Sequence, residues 1–180
     1  MKQAKMTAKV FSFAAQNYVS RYFASSQMLR RALERRAYRF IRKHGGEMED
    51  AKVFIEEAIQ FCIKEGAIDD VHFAQTMVAE LQKNGVSQLK IKQKLFEKGI
   101  SASLIADALK ENNDMHNPKR DALLYAKKRG FGPYRAPHIT EDRYQKELAS
   151  MVRAGHPYNI SKEILFLNKD MAQSILEADE

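Results

Sequence analysis

One spacing recurs along this chain and limits what it can fold into. Ser25, Leu29 and Leu33 are matched at a constant offset by Ser87, Ile91 and Leu95. Each set reads as a capping hydroxyl followed by apolar residues four apart, the signature of an amphipathic helix start. Ala37 falls opposite Gly99. Glycine stops a helix by turning left-handed, and alanine does not, so the first copy of this helix is expected to continue to Lys43.

The flanks repeat as well. Phe13, Tyr18, Val19 and Tyr22 suggest a first helix, and Phe54, Ile55, Ala58, Ile59, Cys62 and Ile63 a third, ended by Gly66. A second cycle starts at Asp69-Asp70, two acids suited to a helix N-terminus. It runs through Phe73, Met77, Val78 and Leu81, then Ser87 to Gly99, then Ser101 with Leu104, Ile105, Ala108 and Leu109. A third, degenerate cycle has Leu123, Leu124 and Ala126, a loop holding Gly132-Pro133 and Pro137, a helix capped by Thr140, and a last helix with Ile160, Ile164 and Leu165. The expected fold is all-α, an elongated tandem array of three three-helix, helix-turn-helix-like repeats. The expected boundaries are a polar tail at 1–9, repeats at 10–66, 67–112 and 121–168, a linker at 113–120 and an extension at 169–180.

Composition narrows the alternatives. Eight Gly and four Pro in 180 residues are too few for a turn-dense β-sandwich, and one Cys excludes an internal disulfide. No apolar run approaches a spanning helix and no export signal is visible, so a cytoplasmic protein with no membrane partner is expected. The net charge of +7 is concentrated: residues 1–43 carry eleven basic side chains against Glu34 alone, and the remainder is slightly acidic.

On the helix from Ser26 to Lys43, Leu29, Leu33, Ala37, Phe40 and Ile41 share one arc with Arg30. Arg31, Arg35, Arg36, Arg39, Arg42 and Lys43 share roughly the opposite arc. Like charges four residues apart weaken an isolated helix, so an arc of this kind suits a partner that neutralises it. The plainer reading is a solvated face, since Arg is a good helix former. Lys127, Lys128, Arg129 and Arg135 form a second basic cluster that reads equally as surface or as contact. Lys90, Lys92, Lys94 and Lys98 are offset by nearby acids and read as solvated. Reversing Arg31, Arg35 and Arg39 to Glu is expected to spare helicity and impair partner binding.

Nothing in the sequence nominates an active site or a cofactor. Gly130 to Arg135 lacks the later glycine and the Gly-Lys-Ser/Thr ending of a phosphate loop. His44, His72, His116, His138 and His156 have no metal-ligand spacing, and Cys62 lies on an apolar face as a small core residue. Aromatics are too few for serial base stacking, and an all-Arg arc suits phosphates or carboxylates better than base edges. A free-standing helix-turn-helix DNA-binding protein is the alternative.

The ordered string Gly66-Ala67-Ile68-Asp69-Asp70, Phe73-Ala74, Gly85, Ser87, Ile91, Leu95, Gly99-Ile100, Ile105 and Ala108-Leu109 resembles the central repeat of the RecX family, bacterial regulators of the RecA recombinase. Ala24-Ser25-Ser26 with Leu29-Arg30-Arg31 and Leu33 resembles the family's first repeat. Ala126-Lys127-Lys128-Arg129, Gly132-Pro133-Tyr134-Arg135 and Arg153-Ala154-Gly155 resemble its third. The resemblance spans residues 14–167. Two positions depart from it: His156-Pro157 replaces a common Phe and small polar residue, and Ile160 comes one position early. The resemblance implies a non-enzymatic protein, expected as a monomer. It would bind the RecA filament, with weak or filament-dependent contacts to DNA phosphates, and lower ATP hydrolysis, strand exchange and repressor self-cleavage.

Overall fold

The computed structural model describes residues 6–113, 116–135 and 140–178, and every regular element among them is helical. The expected contributions of Lys2, Lys5, Pro137 and His138 lie outside the described residues. The chain divides into two compact units, Met1–Ala74 with Phe96–Leu104, and Gln75–Leu95 with Ile105–Glu180.

The first unit holds α1 (Ala8–Val19), α2 (Ser26–His44) and α3 (Met48–Lys64), which pack on one another. Their shared core is Phe11, Ala15, Leu29, Leu33, Ala37, Ala51, Ile55, Ala58, Ile59 and Cys62. Burying each of the large side chains contributes about 2 kcal/mol. On α2 the expected Leu29, Leu33 and Ala37 are buried and Phe40 and Ile41 only half-buried; on α3 Ile55, Ala58, Ile59 and Cys62 are buried as expected, Phe54 is partly buried and Ile63 is exposed. The α1 face is not the one expected: Phe11 and Ala15 are buried, whereas Phe13 is exposed and Tyr22 lies beyond the helix. Cys62 is a free, buried thiol whose pKa burial pushes up. The α2 helix does run past the position opposite Gly99, and it ends at Gly45, whose φ is 77°.

The second trio of helices, α4 (Asp70–Lys83), α5 (Gln88–Glu97) and α6 (Ala102–Glu111), has residues in both units. In the first unit the start of α2 is anchored by residues from this trio. Ser25 Oγ accepts from Met28 N as the N-cap and donates to the Lys98 carbonyl at 2.5 Å. Asp70 accepts from Ser26 N at 2.7 Å and from Ser26 Oγ at 2.5 Å. The adjacent acids therefore divide their work. Asp69 caps its own helix through Val71 N and His72 N, and Asp70 serves the N-terminus of α2. Beside them, Gly99 lies so close to Gln27 that an added Cβ would sit 2.3 Å from its Cβ.

The second unit repeats this joint one cycle later. Ser87 Oγ caps α5 through Lys90 N and donates to the Ala154 carbonyl at 2.6 Å, just after α8 (Glu141–Arg153). A Cβ at Gly155 would meet Ser87 Oγ at 2.5 Å. The recurrent serine thus does two things at each occurrence. It starts its own helix and receives the glycine-ended helix of the following cycle.

The third trio is α7 (Pro118–Arg129), α8 and α9 (Tyr158–Phe166), with a 3-10 turn at Gly132–Tyr134. Its core is Ala122, Leu123, Ala126, Leu148, Met151, Ile164 and Leu165. Two expectations change here. Helix α7 begins inside the expected 113–120 linker, because Asn117 caps it and Pro118 occupies a first-turn position where its missing N–H costs nothing. The expected extension contains α10 (Lys169–Glu177), capped by Asn168, which packs on α7 and buries Ala172 in the same core. In α9 Ser161 is buried together with Ile164 and Leu165, while Ile160 is only partly buried against the cluster.

Candidate functional site

Helix α2 puts its side chains where the helical period dictates. Leu29, Leu33 and Ala37 are buried, and Arg31, Arg35, Arg36, Arg39, Arg42 and Lys43 are all exposed. Arg30, on the apolar side, pairs with Glu56 of α3 at 2.5 Å. That pair and the Gln60 side chain hold the Glu56 carboxyl below its usual range, the Gln60 hydrogen bond first. None of the six cations of the outer arc has a carboxylate within salt-bridge distance among the described residues.

The six are not equivalent. Arg31 Nη1 donates to the Glu97 carbonyl at 2.6 Å, closing the last turn of α5. It therefore holds the joint as well as carrying charge. Arg39 Nε donates to the Arg35 carbonyl at 3.2 Å, which lays its guanidinium back along the helix. Arg36, Arg39 and Lys43, with Phe40 and His44, border a cavity of about 280 Å³ whose other side is Met6, Val10 and Phe11 of the α1 segment. Arg42 stays outside it. The grouping of Phe40 with the core, and of Arg36 with the opposite arc, misses this groove. Its signal is in the sequence nonetheless: residues 36, 39, 40, 43 and 44 fall at i, i+3, i+4, i+7 and i+8 and form a single stripe.

Three members of the second cluster are exposed side by side and the fourth, Arg135, is largely buried. Lys127, Lys128 and Arg129 fill the last turn of α7, where the helix dipole favours cations. Lys127 Nζ lies 6.0 Å from the Tyr134 ring centroid and the Arg129 guanidinium 5.6 Å from that of Tyr125. Arg135 departs from the contact reading altogether. Its side chain is 9% exposed, pairs with Glu147 at 2.7 Å and donates to the Leu165 carbonyl at 3.2 Å. Glu147 also accepts from Arg143 Nε and Gly132 N, so this carboxylate pins the 130s turn to α8, and Arg135 ties the same turn to α9. A charged residue near a Gly-Pro turn gave no sequence signal of burial, because its partner lies twelve residues away on another element.

The histidines separate into unrelated settings. His44 lines the groove and His72 meets Phe23 edge-on at 5.9 Å. His116 Nδ1 lies 3.2 Å from the Asp121 carboxylate. His156 is 3% exposed against Tyr125, filling an aromatic slot, and burial pushes its pKa down to about 4. Among the described residues no three His, Cys, Asp or Glu side chains are grouped to hold a metal, and no helix is long and apolar enough to cross a membrane.

These features define a class: an all-helical protein of tandem three-helix units, joined by serine-capped helix starts and carrying one cationic helix face. Residues 69–109 match the family model described as RecX, second three-helix domain. The chain is 31% identical over 165 residues to the Regulatory protein RecX of Myxococcus xanthus, covering 91% of this chain and 88% of that one. It is 30% identical over 173 residues to the Regulatory protein RecX of Agrobacterium fabrum, covering 94% and 91%. No solved structure matches. The chain belongs to the RecX family.

Proposed function

We propose that this protein is a cytoplasmic, non-enzymatic regulator that binds the RecA filament on DNA and restrains it, lowering ATP hydrolysis, strand exchange and coprotease activity in DNA repair and the SOS response. The observation that carries this reading is the outer face of α2, where six exposed cations have no carboxylate partner among the described residues. A polyanionic filament supplies the missing charge. Family membership supplies the regulatory role, since the relatives are named regulatory proteins. Contacts to DNA are proposed as weak or filament-dependent and made to phosphates, because the outer face of α2 is almost entirely Arg and Lys, which suits phosphate charge better than base edges.

Titrating the pure protein into RecA, single-stranded DNA and ATP tests the reading. ATP turnover is expected to fall as the protein is added. Unchanged turnover at stoichiometric amounts, across a range of salt, removes it. Tight, sequence-preferring duplex binding without RecA would favour the helix-turn-helix alternative instead.

A further inference from the structure

The groove between the α1 segment and the second half of α2 differs in kind from the rest of the cationic face. Arg36, Arg39 and Lys43 stand on its rim with His44, and among the described residues no carboxylate lines it. Its floor and far wall are Met6, Val10 and Phe40, each only half-buried. Seven residues separate Arg36 from Lys43, so the charged rim runs for about 10 Å along α2. Bare phosphate recognition needs no such floor, because a phosphodiester presents charge and no apolar anchor. A stacked base would want a free aromatic face, and the Phe40 ring already packs on His44 at a centroid distance of 4.8 Å. The aliphatic wall of Met6 and Val10 suits an aliphatic or aromatic amino-acid side chain.

We propose that this groove holds an acidic peptide segment of the protein partner, with one apolar side chain seated on Met6, Val10 and Phe40 and flanking carboxylates held by Arg36, Arg39 and Lys43. It rests on the reading of the chain as a filament regulator and locates the protein-directed part of that binding. The planar guanidinium of Arg36 can take a carboxylate bidentately, which fixes the peptide's register. The apolar seat supplies the selectivity that charge alone lacks, so an acid-only peptide is a poorer ligand. Arg35 and Arg42, outside the groove, stay available to phosphates.

The test uses the full chain and a displayed library of random dodecapeptides. Selection is on wild type, with subtraction on the triple variant Arg36→Glu, Arg39→Glu, Lys43→Glu, whose helicity is checked by circular dichroism. Enriched peptides are expected to place Asp or Glu on both sides of an aliphatic or aromatic residue. A fluorescein-labelled enriched peptide should bind the triple variant about ten-fold or more weakly, and Val10→Ser several-fold more weakly. Enrichment without acidic bias, or equal binding to wild type and the triple variant, overturns the proposal. So does displacement of the peptide by a thymidine dodecanucleotide more readily than by the unlabelled peptide. Should the triple variant misfold, the Val10→Ser result and the nucleotide competition decide alone. A parallel RecA ATPase titration separates the two readings. Full inhibition by a folded triple variant rejects the groove and keeps the filament regulator. Peptide binding without any inhibition by wild type keeps the groove and rejects the filament regulator.

Discussion

His156 shows what one side chain can cost when its chemistry and its slot disagree. The imidazole is buried against Tyr125, and Nε2 has no hydrogen-bond partner among the described residues. Its pKa falls from an ordinary 6.5 to about 4. Between those values the unfolded chain takes up a proton that the folded chain refuses. Stability is therefore complete above about pH 6.5 and is lost as pH falls toward 4, by roughly 3 kcal/mol in all. His156→Phe keeps the ring and removes the proton. Urea denaturation at pH 7 and pH 4.5 should find the variant losing roughly 2 kcal/mol less than wild type over that interval. Equal losses would mean the imidazole is not held neutral. Arg135 makes the opposite point about charge. Its guanidinium is spent on Glu147 and the Leu165 carbonyl. Arg135→Ala leaves that carboxylate buried with one cation fewer, at a cost of about 3 kcal/mol. A lowered thermal midpoint with unchanged partner affinity, once the variant is folded at low temperature, is the expected result. A loss of affinity without a loss of stability would restore Arg135 to the contact surface.

At the scale of the helix, the sequence made most of the elements legible through hydroxyl starts and glycine ends. Ser25, Ser87, Ser101 and Thr140 each cap the helix expected of them. What it concealed was the second use of the same groups. Whether Ser25 Oγ also donates to the Lys98 carbonyl depends on residues seventy-three positions away, and no local period reports that. The α1 face was hidden for a related reason. Phe11, Phe13, Ala14 and Ala15 are crowded enough to support two phases, and only packing on α2 and α3 selects Phe11 and Ala15. Arg31 was legible as charge and not as the donor that closes α5, so it is a poor site for testing the cationic face alone. The glycines separate a stop signal from a joint. At Gly66, φ is 69° and an added Cβ meets nothing within 4 Å, so Gly66→Ala costs only the backbone strain of about 1 kcal/mol. At Gly99, φ is 82° and the Cβ lands 2.3 Å from Gln27 Cβ and Cγ. Gly99→Ala adds overpacking to the strain and should cost about 3 kcal/mol. Urea midpoints of the two variants check this. Equal shifts would mean that Gln27 yields and the joint is looser than its geometry indicates.

For the molecule as a whole, the excess of cations matters through where it lies. The chain has 30 basic and 23 acidic residues, and a net charge of +7 would draw any polyanion to it non-specifically. Five of the cations on the outer side of α2, Arg35, Arg36, Arg39, Arg42 and Lys43, have no role in the helix joints. Another five, Lys64, Lys83, Lys92, Lys94 and Lys110, are also exposed but are spread over four helices, α3 to α6. Replacing either set with Gln takes the net charge from +7 to +2, five charges fewer in both cases. A protein that binds through its total charge must treat the two variants alike. One that binds through a helix face must not, because surface charges more than a Debye length from the partner are largely screened at physiological salt. At roughly 0.5 kcal/mol per exposed contact, the α2 set should lose about 2.5 kcal/mol, close to two decades of affinity for the RecA–DNA filament. The scattered set should lose less than a few-fold. The salt dependence separates them further, since only the α2 variant should bind with a flattened slope of affinity against ionic strength. Filament-binding titrations at three salt concentrations read both quantities. Parallel losses in the two variants would make net charge the cause and return the α2 face to ordinary solvated surface.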